Sequence, residues 1–163
     1  MSIVHHCFAP IVSPRTRLLI LGSLPGAASL AAGRYYANPR NQFWHLLETV
    51  IEQPLASLSY DDRLSTLEAC GIGLWDTVAA ASRPGSLDGD IRLQAASDVP
   101  ALAATLPELR AIAFNGGTAA RIGRRELGAT ALALIDLPSS SPAYTLAFAR
   151  KAETWCQLRS HLD

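Results

Sequence analysis

Four short, mostly apolar runs constrain this chain most: Arg17 to Leu21, Ile72 to Trp75, Ala111 to Phe114 and Ala131 to Leu137. A strand with one wet face alternates apolar and polar residues, and a strand covered on both faces does not. The runs therefore predict strands buried on both sides. Helical patterns separate them. Phe43, Leu47, Val50 and Ile51 share a face. Leu64, Leu67 and Glu68 begin a short helix that stops at Gly71. Ser97 or Asp98 caps a helix from Val99 to about Leu106, with Pro100 in its first turn. Asn115-Gly116-Gly117 ends a strand and opens another helix. Trp155, Leu158 and Leu162 give the C-terminal segment a helical stripe. Strands alternating with helices predict an α/β fold, a three-layer α/β/α sandwich around a central four-stranded, mainly parallel sheet. At 163 residues the chain fits a single domain, 1–163. In such folds the ligand crevice lies beyond the carboxyl ends of the strands. The loops after Leu21, Trp75, Phe114 and Leu137 are the places to look for chemistry.

Composition narrows the function classes. With 14 basic and 14 acidic residues the formal net charge is zero, which argues against a broad non-specific nucleic-acid coat but leaves room for a local basic groove. Lys151 is the sole lysine; every other basic residue is arginine. No apolar run is long enough for a membrane helix, and Met1 to His6 contains no Lys or Arg, so no membrane association and a cytoplasmic location are expected. Cys7, Cys70 and Cys156 lie far apart and read as buried thiols, so no metal or iron–sulfur site is expected.

The densest polar and aromatic segment is Gly33-Arg34-Tyr35-Tyr36-Ala37-Asn38-Pro39-Arg40-Asn41-Gln42-Phe43-Trp44. Aromatics stack on bases, amides pair with base edges, and arginine reaches phosphate, so this composition suits a base pocket. Asn38-Pro39 also reads as a helix start, with Asn38 as N-cap and Pro39 at the first helical position. The strand before it runs into Gly22-Ser23-Leu24-Pro25-Gly26, a turn through which backbone can approach a ligand closely. After the last strand, Ser139-Ser140-Ser141-Pro142 offers small hydroxyls and backbone N–H groups suited to a phosphate clamp. No G-x-S-x-G elbow supports a serine hydrolase.

Together, Gly22 to Gly26 and Tyr35 to Trp44 resemble the hypoxanthine-DNA glycosylase (DNA-deoxyinosine glycosylase) family. That family lies within the uracil-DNA glycosylase superfamily, beside the mismatch-specific uracil/thymine glycosylases. Gly71 to Val78 and Leu137 to Ala143 extend the likeness over nearly the whole chain. The resemblance implies a monofunctional glycosylase of base excision repair. It would release hypoxanthine, and uracil from G/U mismatches, from DNA, with no cofactor and no obligate protein partner. Many relatives carry an Asp or Asn where this chain has Leu24, and the resemblance passes the water-positioning role to Asn41, with Asn38 as the second candidate amide. Many also carry a His where this chain has Leu137, which implies a weaker hold on the departing base. Phe43 is expected to stack on the flipped base, with Tyr36 as a second wall. Gly22, Ser23 and Leu24 would line its edge, and Asp76 would accept its ring N–H or simply cap a turn. Arg40, Ser139, Ser140 and Ser141 are the expected DNA contacts; the cluster Arg121, Arg124 and Arg125 and the pair Arg150-Lys151 each read as a solvated helix face first and a phosphate contact second. Two other functions fit the same residues: a nucleoside hydrolase or other small-nucleotide enzyme, and a non-catalytic binder of damaged DNA.

Overall fold

The computed structural model describes residues 4–82 and 92–163. In chain order the elements are β1 (Val4–His6), β2 (Leu18–Gly22), α1 (Ala27–Ala32), α2 (Phe43–Ile51), α3 (Tyr60–Cys70), β3 (Ile72–Asp76) and β4 (Val78–Ser82). They continue with β5 (Arg92–Ala96), α4 (Val99–Ala104), β6 (Ala111–Asn115), α5 (Gly117–Leu127), β7 (Ala133–Leu137) and α6 (Phe148–Trp155), which runs into a 3₁₀ turn at Cys156–His161.

The four apolar runs form one parallel sheet in the order β3-β2-β6-β7. Successive side chains on a strand point to opposite faces. Leu18 and Ile20 therefore join Phe43, Leu46, Leu47, Leu67, Trp155 and Leu158 on one side, under α2, α3 and α6. Leu19 and Leu21 join Val99, Ile112, Phe114 and Ala119 on the other, under α4 and α5. β2, β3 and β6 are covered on both faces, which is why their runs carry no alternation; β7, at the sheet edge, exposes Ala133 and Asp136. The three-layer α/β/α fold expected from the sequence is the one observed.

Several expectations are corrected. Asn38 is not an N-cap: residues 38–41 form a turn, the Asn41 N–H donates to the Asn38 carbonyl at 2.9 Å, and α2 starts at Phe43 behind Gln42. The same Asn-Pro pair suits positions i and i+1 of a β-turn as well as a helix start, and the turn wins here. The C-terminal stripe is half α-helix and half 3₁₀. A second sheet, antiparallel and ordered β1-β4-β5, was not expected. Its middle strand, Val78-Ala79-Ala80-Ala81-Ser82, is alanine-rich and has little intrinsic strand preference. Among the described residues, no helix is long and apolar enough to cross a membrane.

The topology sets the site. From β2 the chain goes to β3 on one side, then crosses to β6 on the other. The crevice at such a reversal lies outside the carboxyl ends of β2, β3 and β6. Gly22, Asp76 and Asn115 are the terminal residues of those three strands.

Candidate active site

A cavity of about 230 Å³ opens at this end of the sheet. It is smaller than the roughly 300–1,000 Å³ of drug-sized pockets, and it suits a single base. Gly22 and Asp76 are paired across β2 and β3 and lie at its floor. Thr77 locks the strand ends together: its N–H and its hydroxyl both donate to the Gly22 carbonyl, at 2.8 Å and 3.1 Å. A Cβ on Gly22 would stand 2.7 Å from Asp76 Oδ1 and 3.0 Å from the Tyr36 hydroxyl. Only glycine lets the carboxylate and the phenol converge there. Asp76 is 4% exposed.

Ser23 and Leu24 line the next stretch of wall. Both are buried, and Leu24 packs with Val78 and Ile122. Tyr36 supplies the aromatic side. Its backbone is left-handed, φ 53°, an uncommon conformation for a bulky residue. The Tyr36 carbonyl accepts from Trp44 Nε1 at 3.1 Å. Behind it lies Phe43, stacked ring on ring at 3.7 Å with 10° between planes, and backed edge-on by Trp155. Phe43 is fully buried and does not line the cavity. The expected order of the two rings is thus reversed, because the first turn of α2 points Phe43 into the core while Tyr36, on the loop, covers it. Arg40 also falls outside the cavity wall and is exposed on the 38–41 turn.

Asn38 and Asn41 both reach the cavity. Asn38 Oδ1 accepts from the Arg40 N–H at 2.9 Å, and Asn41 Oδ1 accepts from the Phe43 N–H at 3.0 Å. The second bond fixes the Asn41 amide: one Oδ1 lone pair is committed, and the NH₂ and the other lone pair remain to hold a small molecule. Tyr35 lines the cavity too, but its hydroxyl donates to the Ala9 carbonyl at 2.9 Å. Burial, with the Asp76 charge adding to it, pushes its pKa far above that of an ordinary phenol, so it serves as a fixed donor.

Ser139, Ser140 and Ser141 close the far side. Asn115, which the sequence marks either as a point of close approach after the third strand or as the end of a strand-to-helix turn, organises them. Its Nδ2 donates to Ser140 Oγ at 2.8 Å and its Oδ1 accepts from the Ser140 N–H at 2.9 Å. The signal was there in part: an amide ends a buried strand on the ligand side of the sheet. Gly116, at φ +98°, lets this junction pack against Ser139, whose Cβ would lie 3.2 Å from any added methyl. Lys151, read with Arg150 as a solvated helix face or a phosphate contact, is fully buried behind the loop. Arg150 is exposed beside it. The exposed large apolar side chains among the described residues, Tyr144 and Leu146, follow the serines. A second cavity, of about 500 Å³, lies across the 35–41 loop and is lined in part by Arg34, His45 and Arg63.

A base-sized slot with an aromatic wall, a carboxylate floor and a hydroxyl-rich rim at the carboxyl end of a parallel sheet defines a DNA glycosylase, an enzyme that draws one nucleotide out of the helix. The chain belongs to the uracil DNA glycosylase superfamily, whose family model matches residues 9–159. It is 39% identical over 109 residues to a hypoxanthine DNA glycosylase of Methanosarcina barkeri, covering 67% of this chain and 69% of that one. A hypoxanthine DNA glycosylase of Methanosarcina acetivorans is 41% identical over the same shares. The solution NMR structure of a Methanosarcina acetivorans protein assigned to the uracil DNA glycosylases superposes with a TM-score of 0.86. It is 35% identical, with 98% of this chain and 99% of that one covered.

Proposed function

We propose that this enzyme hydrolyses the N-glycosidic bond of deoxyinosine in DNA and releases hypoxanthine. The observation that carries the reading is Asp76, placed with Tyr36 and Asn41 around one base-sized cavity. Hypoxanthine presents a ring N–H that a carboxylate can accept, whereas the corresponding nitrogen of adenine has no proton. Asp76 therefore favours the deaminated base over its parent. Tyr36 stacks on the base and is held flat by Phe43 beneath it. Asn41 orients a water toward the sugar carbon. The glycosidic bond breaks first and its electron pair leaves with the base. The water oxygen then bonds to the sugar carbon, and the proton it releases balances the anionic base. Asn41 is a neutral amide, so its contribution is position rather than deprotonation. The serine loop holds the strand through phosphate. Tyr144 and Leu146, exposed just after the serine loop, are the side chains this reading assigns to the gap left by a flipped nucleotide.

Uracil opposite guanine offers an equivalent ring N–H and is the second substrate of this reading. Leu137 stands at the position where many relatives carry a His that stabilises the departing base, so uracil excision is expected to be weak. The test is base release from oligonucleotides bearing hypoxanthine, uracil or xanthine, opposite each normal base and single-stranded, with free deoxyinosine alongside. Release from the oligonucleotide, fastest for hypoxanthine, supports the reading. Faster cleavage of free deoxyinosine makes the protein a nucleoside hydrolase. Tight binding with no release at enzyme excess makes it a binder of damaged DNA.

A further inference from the structure

The chain's only lysine is fully buried. A buried ammonium costs several kcal/mol unless an opposite charge offsets it, and lysine seldom accepts such a position unpaired. No carboxylate among the described residues forms an ion pair with Lys151. Its Nζ donates instead to two neutral acceptors, Gln42 Oε1 at 3.0 Å and the Ser141 carbonyl at 3.3 Å, and lies 5.4 Å from the centroid of the Tyr144 ring. Burial draws its pKa below the ordinary lysine value.

These contacts tie three parts of the site together. Gln42 follows Asn41, and its own N–H donates to the Ser140 carbonyl at 3.0 Å. Trp155, one turn beyond Lys151 on α6, donates from Nε1 to the Pro138 carbonyl at 2.9 Å. The carbonyls of Pro138, Ser140 and Ser141 are therefore all engaged by groups of α6 or of Gln42. A phosphate approaching the serine hydroxyls meets a loop whose negative carbonyl ends are already occupied, with a positive charge one residue behind it.

We propose that Lys151 is a positioning residue for the strand-binding serine loop, a buried cation that pins the Ser141 carbonyl, aligns the loop with Asn41 through Gln42, and receives its counter-charge when a DNA phosphate docks on the loop. This rests on the glycosylase reading above in that the ligand is a DNA strand. Lysine suits the place because its ammonium is a compact point charge with three donors, whereas the planar fork of arginine needs more room.

Two variants separate pinning from charge. Lys151→Met removes both, and Lys151→Gln keeps a donor for Ser141 but removes the charge. Binding is measured to a duplex carrying one 2′-fluorinated deoxyinosine, whose sugar resists cleavage, across a range of salt concentrations. Melting curves accompany each variant. Both variants should bind several-fold more weakly at low salt, with a salt slope shallower by up to about 0.9. Their melting temperatures should stay near or above that of the wild type. Lys151→Met should also slow single-turnover release at saturating enzyme more than Lys151→Gln does. In the wild type the single lysine gives one side-chain ammonium signal by NMR, and that signal should move when duplex is added. An unchanged slope in each variant that folds, or a wild-type signal indifferent to duplex, overturns the proposal, so the test stands even if Lys151→Met fails to fold. Wild-type binding without base release from the unmodified deoxyinosine duplex overturns the glycosylase reading and leaves the slope comparison to decide Lys151. A wild type that binds no duplex overturns both.

Discussion

Two of the loops that wall the cavity are built by opposite means. The 38–41 turn is held by its own neighbours: Asn38 Oδ1 takes the Arg40 N–H, the Asn38 carbonyl takes the Asn41 N–H, and Asn41 Oδ1 takes the Phe43 N–H. The 139–141 loop has internal bonds as well, such as the Ser141 N–H to Ser139 Oγ. Its position, however, is fixed from elsewhere, by Asn115 25 residues away, by Trp155 17 residues beyond Pro138, and by Lys151 and Gln42. A locally closed turn keeps its shape if its surroundings loosen. A loop strung between distant struts does not. The amide proposed to orient water thus sits on the self-sufficient loop, and the serines proposed to grip the strand sit on the dependent one.

The largest effect expected from a single change is in the core beneath Tyr36. Phe43→Ala should cost about 3–5 kcal/mol of stability, because the ring is fully buried between Tyr36 and Trp155. Urea denaturation measures it. A stable variant that has lost only base capture would instead put Phe43 at the substrate and undo the assignment of Tyr36 as the stacking wall.

Next comes Asn41→Ala, which should lower single-turnover base release by about 10²-fold or more, the scale of a misplaced reactant. Affinity for the damaged duplex should hold, since the turn keeps its backbone bond. Titration and quench-flow on the same preparation separate the two quantities. If affinity falls in step with rate, Asn41 is a strut of the turn rather than a holder of water.

Asn115→Ala tests the dependent loop. It strands the buried Ser140 N–H, so stability should drop by about 1–3 kcal/mol, and DNA affinity should fall with it. Denaturation and binding curves read both. Unchanged stability would mean that the serine loop closes on its own, and the contrast between the loops would disappear.

Asn38→Ala should do least. Its bond to the Arg40 N–H is exposed, and exposed sites of this kind change stability by about 0.5 kcal/mol or less. A helix N-cap in its place would have cost about 1 kcal/mol. Thermal melts beside the wild type distinguish the two, and the larger loss would restore the helix start that the structure replaces with a turn.

The sequence by itself determined the sheet and the approximate place of the site. Burial on both faces makes a strand continuously apolar, and that signature is local, so the four runs, their helices and the parallel order of layers could be read directly. The motif from Tyr35 to Trp44 carried the resemblance, and of the site residues it suggested, Tyr36, Asn38 and Asn41 do line the cavity. Only the tertiary structure decided which of Tyr36 and Phe43 faces it, because adjacent rings differ only in the direction the backbone gives them, and a left-handed Tyr36 has no one-dimensional mark. The alanine-rich β4 was invisible for a related reason: its partners, β1 and β5, supply the pairing that its own residues do not prefer. Asn115 and Lys151 were legible as an amide and a cation, but not as supports of Ser140 and Ser141. Their roles arise from contacts between strand, helix and loop that only the folded chain brings within hydrogen-bonding distance.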